Sequence, residues 1–267
     1  MNFKADLHCH SNFSDGTDTP EQLIDLAIEK GLSGLSITDH DTFEAYARAV
    51  PYAQEKKLLL LTGVEFSSSF RTEPIHILGY GISLQSEALH ELCERHKKRR
   101  GERNLRILQK LERLGYAIDP AELKADDRTI GRPHIALALI KMGVVSSMRE
   151  AFDQLLGEGK PAYTPGEVIE IEETIETIHQ AGGKAILAHP QLIKKKSTFR
   201  QMLQKPFDGL EGFYARMPLH REGPYLEAAK ERNWLITGGS DYHGSVKPQA
   251  ELGSSWVDEE TFYALYK

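Results

Sequence analysis

The first chemistry-bearing motif of this 267-residue chain is Asp6-Leu7-His8-Cys9-His10. Alternate side chains of a β-strand point to the same face, so His8 and His10 would project together and clasp one cation. Cys9 would face the opposite way, and we interpret it as a core residue. The spacing predicts a metal site close to the start of the chain.

Further imidazoles and carboxylates occur at the ends of other short apolar runs. Seven of the 11 histidines lie at predicted strand ends, within strands or in turns flanked by Gly or Pro: His8, His10, His40, His76, His134, His189 and His243. Carboxylates occupy equivalent places at Asp15, Asp39, Glu65 and Asp241. Neutral imidazole together with carboxylate suits Zn, Mn or Fe, and bridging carboxylates allow two or three ions to share one site.

Each of these residues, taken alone, also has a purely structural interpretation. Asp15 could cap a turn, and His76 could lie in the core. The joint placement of so many metal-capable groups at strand ends favours a metal site over these separate explanations. His90, His96 and His179 lie in amphipathic helical stretches, where a solvated position is expected. The chain has no Gly-x-Ser-x-Gly elbow, P-loop or zinc-finger spacing.

Short apolar runs alternate with helical patterns over most of the chain. Seven runs read as strands: 3–10, 32–38, 58–64, 74–80, 184–188, 209–213 and 234–237. One helix is marked by Thr19 as N-cap, Pro20 after it and Gly31 past its end. A later helix would place Val168 and Ile171 on its apolar face. Alternating strands and helices imply a parallel α/β sheet, and polar groups at the strand ends match the mouth of a β/α barrel of about seven strands.

The alternation stops between about Ser83 and Pro165. Leucines there recur at helical spacings among many Lys, Arg and Glu residues, and a second helical pattern covers residues 133–142. We therefore predict a barrel formed by residues 1–83 and 165–267, with a helical insertion, or lid, over residues 84–164.

Composition narrows the class of protein. The chain is 40% hydrophobic and 27% charged, as is typical of a globular enzyme, and its net charge of −6 provides no overall basic field for nucleic acid. The longest apolar run, 58–61, is far too short to span a bilayer. Two cysteines and the absence of an apolar leader fit a cytoplasmic enzyme. No membrane and no obligate protein partner are expected.

Seven motifs in this order resemble the PHP (polymerase and histidinol phosphatase) family: Asp-Leu-His-x-His at 6–10, Ser-Asp-Gly at 14–16, Thr-Asp-His-Asp at 38–41, Gly-Val-Glu at 63–65, His-x-Leu-Gly-Tyr at 76–80, Ala-His-Pro at 188–190 and Gly-Ser-Asp-Tyr-His at 239–243. The resemblance implies a distorted (β/α)7 barrel with a trinuclear centre of Mn, Fe or Zn. It implies a bridging role for Glu65. The ligands it implies are His8, His10, Asp15, His40, Glu65, His76, His189, Asp241 and His243.

Motifs of the insertion are similar to the branch of that family that acts on nucleotides. Its members are nucleoside 3′,5′-bisphosphate phosphatases and 5′→3′ exoribonucleases acting on short RNA. Arg99 and Arg103 lie one helical turn apart and could grip a second phosphate. The full set of predicted substrate-binding residues is Arg99, Arg103, Asn104, Arg132, His134 and Lys160. The lysine run 194–196 is interpreted as an exposed loop.

The sequence thus predicts a metal-dependent phosphoesterase in which a metal-held hydroxide attacks phosphorus. A metal-bound water or His220 would protonate the leaving oxygen, although His220 could equally be a loop residue without a catalytic task. Three alternatives remain: a phosphatase of the histidinol-phosphate type, an amidohydrolase, and a non-catalytic module associated with nucleic acid. Glu65, in place of a carboxylated lysine, favours phosphoester chemistry over the amidohydrolase. A nucleoside bisphosphate and an RNA 5′ end are not separated by the sequence.

Overall fold

The computed structural model describes residues 2–71, 73–123, 129–215 and 217–266. The chain folds into two compact units: one comprises residues 1–93 and 168–267, and the other residues 94–167. Among the described residues, no helix is both long and apolar enough to cross a membrane. The architecture is α/β.

The first unit contains two sheets. The three-stranded sheet is parallel and consists of β1 (Ala5–Cys9), β2 (Gly34–Ile37) and β3 (Leu59–Leu60), in that order. The five-stranded sheet has the order β4 (Gly63–Phe70), β5 (Glu73–Tyr80), β6 (Lys184–Leu187), β7 (Gly209–Tyr214) and β8 (Leu235–Gly239). Two single β-bridges connect the region of the three-stranded sheet with that of the five-stranded sheet. One pairs His40 with Glu65, and the other pairs Cys9 with Tyr242. The closed (β/α)7 barrel stays a prediction.

The sheets differ from the predicted parallel arrangement in two ways. The apolar run 58–64, expected to be one strand, forms both β3 and β4, which belong to different sheets. In addition, β5 pairs antiparallel with both β4 and β6, so the parallel prediction is wrong for this part. For β4 and β5 the reason is the short connection from Phe70 to Glu73, which only a hairpin accommodates, whereas parallel neighbours need a long crossover.

The helices of the first unit pack their apolar faces on the sheets. They include α1 (Pro20–Glu29), α2 (Tyr46–Lys56), the start of α3 (Glu87–Arg113), α7 (Ile171–Gln180), α8 (Lys196–Met202), α9 (Leu219–Lys230) and α10 (Glu259–Leu265). The predicted cap of α1 is confirmed, because the Gln22 N–H donates to Thr19 Oγ1 at 3.3 Å and the Thr19 N–H donates to the Gln22 side chain at 2.8 Å. Val168 lies outside α7 and is exposed, so its predicted place on the apolar face is wrong.

The second unit begins within α3 and is helical. It contains α4 (Pro120–Leu123), α5 (Arg132–Lys141), α6 (Met148–Ala151) and one π-helical turn at Phe152–Leu156. A small core of its own includes Ile107, Leu111 and Ile135. His96, expected at the surface, is fully buried, because it shares the inward face of α3 with Arg99 and Arg100 at the i+3 and i+4 positions. The domain limits 84–164 and the lid function stay predictions.

Candidate metal centre

Strand β1 carries His8, and His10 directly follows its last residue, Cys9. The side chains of His8 and His10 are fully buried, and their rings lie 5.3 Å apart. The carbonyl of His8 accepts a 2.7 Å hydrogen bond from the Asp241 N–H, which fixes the segment after β8 beside β1. Gly239 allows this close approach, since a Cβ at that position would lie 2.4 Å from His8 Cβ. The end of β8 therefore meets the end of β1 at the histidine pair.

Glu65 on β4 is the centre of the cluster. Its carboxylate is buried, and Oε1 lies 2.9 Å from His76 Nδ1 and 2.8 Å from His189 Nε2. Its other oxygen, Oε2, faces His40 Nδ1 at 3.1 Å, His10 Nε2 at 3.2 Å and His8 Nε2 at 3.4 Å. One carboxylate is thus shared by five imidazoles, which come from both sheets of the first unit.

Two further carboxylates flank this group. Asp15 Oδ1 lies 3.3 Å from His243 Nε2 and 3.7 Å from His10 Nδ1. Asp241 Oδ1 lies 3.4 Å from both His10 Nε2 and His243 Nδ1. The rings of His10 and His243 stack with their centroids 4.0 Å apart. All nine residues of the predicted ligand set therefore lie in one connected cluster.

The donor atoms fall into three groups in which all ligand atoms lie within 4.8 Å of one another. These groups are His10, Asp15, His40 and His243; His8, His10 and Glu65; and His40, Glu65 and His76. Four of the buried atoms make no hydrogen bond with any residue that the structure describes: His8 Nε2, His10 Nε2, His40 Nδ1 and Asp15 Oδ1. Buried polar atoms are normally hydrogen-bonded, so atoms directed at a common centre without bonds fit shared divalent cations.

Mutual contacts lower the pKa values of the buried carboxylates of this cluster, whereas burial dominates the pKa of His40. Burial alone would raise the pKa of Glu65, but the surrounding histidines, His40 first, hold it well below its usual range. Asp15 and Asp241 behave in the same way. Burial lowers the pKa of His40 to about 3, so its nitrogens are available as ligands at neutral pH.

The pKa values of His8 and His10 shift in the opposite direction to that of His40. Burial opposes their protonation, but the carboxylates around them raise the pKa of His10 to about 9 and that of His8 well above its ordinary value. In the metal-free cluster a proton therefore occupies the place that a cation would take, and metal binding must displace it.

Glu211 on β7 supports two of the histidines. Its Oε1 lies 2.8 Å from His8 Nδ1, and its Oε2 accepts the His189 N–H at 2.8 Å. A proton on His8 Nδ1 can be donated to Glu211, which leaves Nε2, on the Glu65 side, as the atom that would bind a cation once its own proton is displaced. The sequence marks Glu211 as a metal-capable residue on the run 209–213, but Glu211 is not among the predicted ligands. The signal in the sequence was a single carboxylate within an apolar run, and the structure shows this carboxylate fully buried.

Asp241 is held from the side away from the histidines. Its Oδ2 accepts from Tyr214 Oη at 2.6 Å and from Lys247 Nζ at 2.5 Å, and Lys247 Nζ also reaches Tyr214 Oη at 2.8 Å. Asp241 and His189 both adopt left-handed backbone, with φ of 52° and 25°. Non-glycine residues in this region carry strain that functional sites often retain. No sequence pattern singled out Tyr214 or Lys247.

Asp39, which sequence reasoning placed among the carboxylates, has a supporting position. It accepts hydrogen bonds from the N–H and hydroxyl of Ser11, at 2.8 and 2.5 Å, and from the Ser14 hydroxyl at 2.5 Å. These bonds order the loop that carries Asp15. Cys9 is buried and donates to the Ser36 carbonyl at 3.3 Å, which agrees with its interpretation as a core residue.

The predicted substrate-binding residues all lie in the second unit. Arg99 Nη1 donates to the Glu167 carbonyl at 3.0 Å, Arg103 Nη2 to Asn104 Oδ1 at 3.1 Å, Asn104 Nδ2 to the Ile130 carbonyl at 2.9 Å, and the Gly131 N–H to His134 Nδ1 at 3.0 Å. The Arg132 guanidinium lies 5.9 Å from the Tyr163 ring centroid. Lys160 is exposed. In the first unit, His220 is exposed on α9.

Comparison with known proteins places the chain in a family. The PHP domain model matches residues 6–210, so the chain belongs to the PHP domain family. A Haemophilus influenzae relative named 5′-3′ exoribonuclease is 35% identical over 250 residues, covering 91% of each chain. A Chromobacterium violaceum relative named 3′,5′-nucleoside bisphosphate phosphatase is 31% identical over 259 residues, covering 93% of this chain and 90% of its own.

A solved structure is also similar along nearly the whole length. It belongs to a Bifidobacterium adolescentis protein inferred to be a metal-dependent phosphoesterase. The two share 30% identity with a TM-score of 0.90, over 98% of this chain and 94% of the other. The resemblance found in the sequence motifs is therefore confirmed.

Proposed function

We propose that this protein is a metal-dependent hydrolase of phosphate esters in nucleotides. Its substrates are nucleoside 3′,5′-bisphosphates, which would yield a nucleoside 5′-monophosphate and phosphate, and the 5′ ends of short RNA. The observation that carries the proposal is the buried Glu65 carboxylate facing five imidazole nitrogens. The names of the H. influenzae and C. violaceum relatives support both substrates.

The nine clustered residues are the proposed ligands of two or three divalent cations, with Mn, Fe and Zn as the candidates. Three groups of donor atoms, each of which has a residue in common with each other group, support this assignment for seven of the nine, and the contacts of His189 with Glu65 and of Asp241 with His10 support it for the other two. Imidazole and carboxylate ligands together suit these metals. The proposed setting is the mouth of a distorted (β/α)7 barrel in the cytoplasm, where two free cysteines suit the reducing conditions.

Bound divalent cations would activate water as the nucleophile and neutralise charge on the phosphoryl oxygens. The protein's own residues prepare this site before substrate arrives. Glu211 fixes the tautomer of His8 so that Nε2 faces Glu65. Tyr214 and Lys247 occupy Asp241 Oδ2, so that only Oδ1 faces the histidines.

We assign protonation of the leaving oxygen and binding of the uncleaved phosphate to groups outside the nine clustered residues. Protonation of the leaving oxygen falls to a water at the site or to His220, whose exposed position on α9 permits contact with solvent. The helical insertion 84–164 is proposed as a lid, in which Arg99, Arg103 and Arg132 hold the phosphate that is not cleaved. Asn104, His134 and Lys160 complete that proposed set.

The test compares the purified protein with and without metal on two substrates. The Mn-loaded protein is expected to release phosphate from adenosine 3′,5′-bisphosphate and nucleotides from a short 5′-phosphorylated RNA. Removal of metal by a chelator should abolish both activities, and Mn²⁺ should restore them. Full activity after verified metal removal would refute the proposal. Activity on an amine-bearing phosphomonoester alone would instead identify a phosphatase of the histidinol-phosphate type.

A further inference from the structure

A strongly basic segment begins immediately after the proposed ligand His189. Between residues 190 and 207 the chain carries five cations and no Asp or Glu, although its net charge is −6. The cations of this segment, which we call the basic segment, are Lys194, Lys195, Lys196, Arg200 and Lys205. A solvated surface usually intersperses both signs of charge, so a segment with one sign beside an active site points to an anionic ligand.

The basic segment is attached to the strand that carries another proposed ligand. Glu73 Oε1 on β5 accepts the backbone N–H groups of Lys194 at 2.6 Å and Lys195 at 3.2 Å. Glu73 precedes His76 by three residues, a distance of about 10 Å along a strand. The lysine run is therefore on the order of 10 to 15 Å from His76, one of the histidines that face Glu65.

The segment is also rigidly supported. Met202 of α8 is fully buried in the main core, and the ring of Phe199 packs edge-on against Tyr225 at 5.2 Å. The side chains of residues 194–196 and of Arg200 are exposed. Next to them, the Lys205 ammonium and the exposed Arg71 guanidinium lie 5.5 and 5.2 Å from the Phe70 ring centroid. Arg71 thus adds a positive charge beside Lys205 at the end of β4, while the Lys205 ammonium itself is ion-paired with Glu172.

We propose that the basic segment binds the phosphates of an RNA strand whose 5′-terminal nucleotide is held at the metal centre, an inference that rests on the proposed function. Lysines contact phosphates as point charges without reading bases, which suits sequence-independent binding of a single strand. A nucleoside bisphosphate carries no phosphates beyond its first nucleotide. The segment therefore adds affinity for RNA only, and it makes RNA the preferred substrate over the mononucleotide.

The test replaces Lys194, Lys195 and Lys196 together by Gln. Glu73 binds backbone N–H groups, so the change removes three charges and leaves this attachment in place. The matched control replaces Lys30, Lys56 and Lys57, three exposed lysines at the ends of α1 and α2, by Gln. It alters the net charge equally and lies outside the basic segment.

The binding measurement uses the metal-free full-length chain, which does not degrade its ligand, and a 5′-phosphorylated RNA decamer followed by fluorescence anisotropy. Three phosphate contacts on a single strand contribute a slope of about 2 to the dependence of log affinity on log salt. When salt is raised from 50 to 200 mM, the affinity of the wild type and of the control for the RNA should fall. Each of these losses should be about 20 times larger than the loss of the 194–196 variant.

The kinetic measurement uses the Mn-loaded proteins. The 194–196 variant should lose about tenfold in kcat/KM on the RNA, because the free energies of three exposed ion pairs add up to about that factor. Its kcat/KM on adenosine 3′,5′-bisphosphate should stay within about twofold of wild type. Equal losses on both substrates, or no loss on either, would overturn the inference. Wild-type binding to vesicles containing 30% anionic lipid without binding to RNA would also overturn it. A wild type that binds RNA through the segment but hydrolyses neither substrate would instead contradict the proposed function alone.

Discussion

Replacing Glu211 by Gln is expected to weaken metal binding while leaving the fold intact. Glu211 uses both oxygens, one for the His8 ring at 2.8 Å and one for the His189 N–H at 2.8 Å. Glutamine has a single acceptor oxygen, so one of the two contacts becomes an N–H group facing another N–H group. The change also removes a buried negative charge beside the cations. Two proposed ligands lose their orientation at once.

The expected magnitude follows from the position of Glu211 behind the ligands. Changes to the partners of metal-bound histidines typically cost 10- to 100-fold in metal affinity, or about 1.4 to 2.7 kcal/mol. Calorimetric titration of the metal-free protein with Mn²⁺ measures this directly. Circular dichroism melting of the same metal-free samples reports separately on the fold.

Asp208→Asn is the matched control, because Asp208, directly before β7, makes the same kind of contacts to a histidine ring and a backbone N–H. It bonds His179 Nε2 at 2.7 Å and accepts the Ala185 N–H at 2.8 Å, outside the Glu65 cluster. Both variants should melt at lower temperature, but only Glu211→Gln should bind Mn²⁺ more weakly. If Glu211→Gln binds Mn²⁺ as tightly as wild type, the argument for Glu211 as a positioning residue is wrong.

Three further predictions concern other residues. Glu65→Gln should lower both metal content by elemental analysis and the rate of hydrolysis, since a neutral amide does not neutralise two cations; wild-type metal content would contradict its central role. Arg132→Ala should raise KM for a nucleoside 3′,5′-bisphosphate about 10- to 150-fold and change hydrolysis of an aryl phosphate far less, and equal effects on both would exclude contact with the uncleaved phosphate. Burial alone would raise the pKa of Asp208, but the hydrogen bond from Lys184 leads the effects that lower it. Its stabilisation is therefore present above about pH 4 and lost as pH falls through the lowered pKa, so urea unfolding of wild type and Asp208→Asn should converge in acid.

The family, the α/β class and the clustering of the candidate ligands were accessible from the sequence. Motifs such as 6–10 and 239–243 combine residue type with strand position, and both properties are local. The cap of α1 was equally local, because Thr19 and Gln22 stand three residues apart.

Features that depend on distant contacts were not accessible. The run 58–64 begins with four leucines, and periodicity gives no sign that β3 ends at Leu60 and that a strand of the other sheet begins at Gly63. His96 was assigned to the surface because its neighbours are charged, whereas packing of α3 turns that face inward. Lys247 acquires its position beside Asp241 from a loop conformation that no motif encodes.

The change of sheet after β3 has a consequence for stability. His8 lies in β1 of the three-stranded sheet, and His10 and His40 lie just after β1 and β2, whereas Glu65 and His76 belong to the five-stranded sheet. A cation held by both sets is a cross-link between the sheets at the seam where only single bridges join them among the described residues. If the proposed cations bind there, metal supply would set thermal stability as well as activity: one such ion at a hundred times its Kd would add about 2.7 kcal/mol.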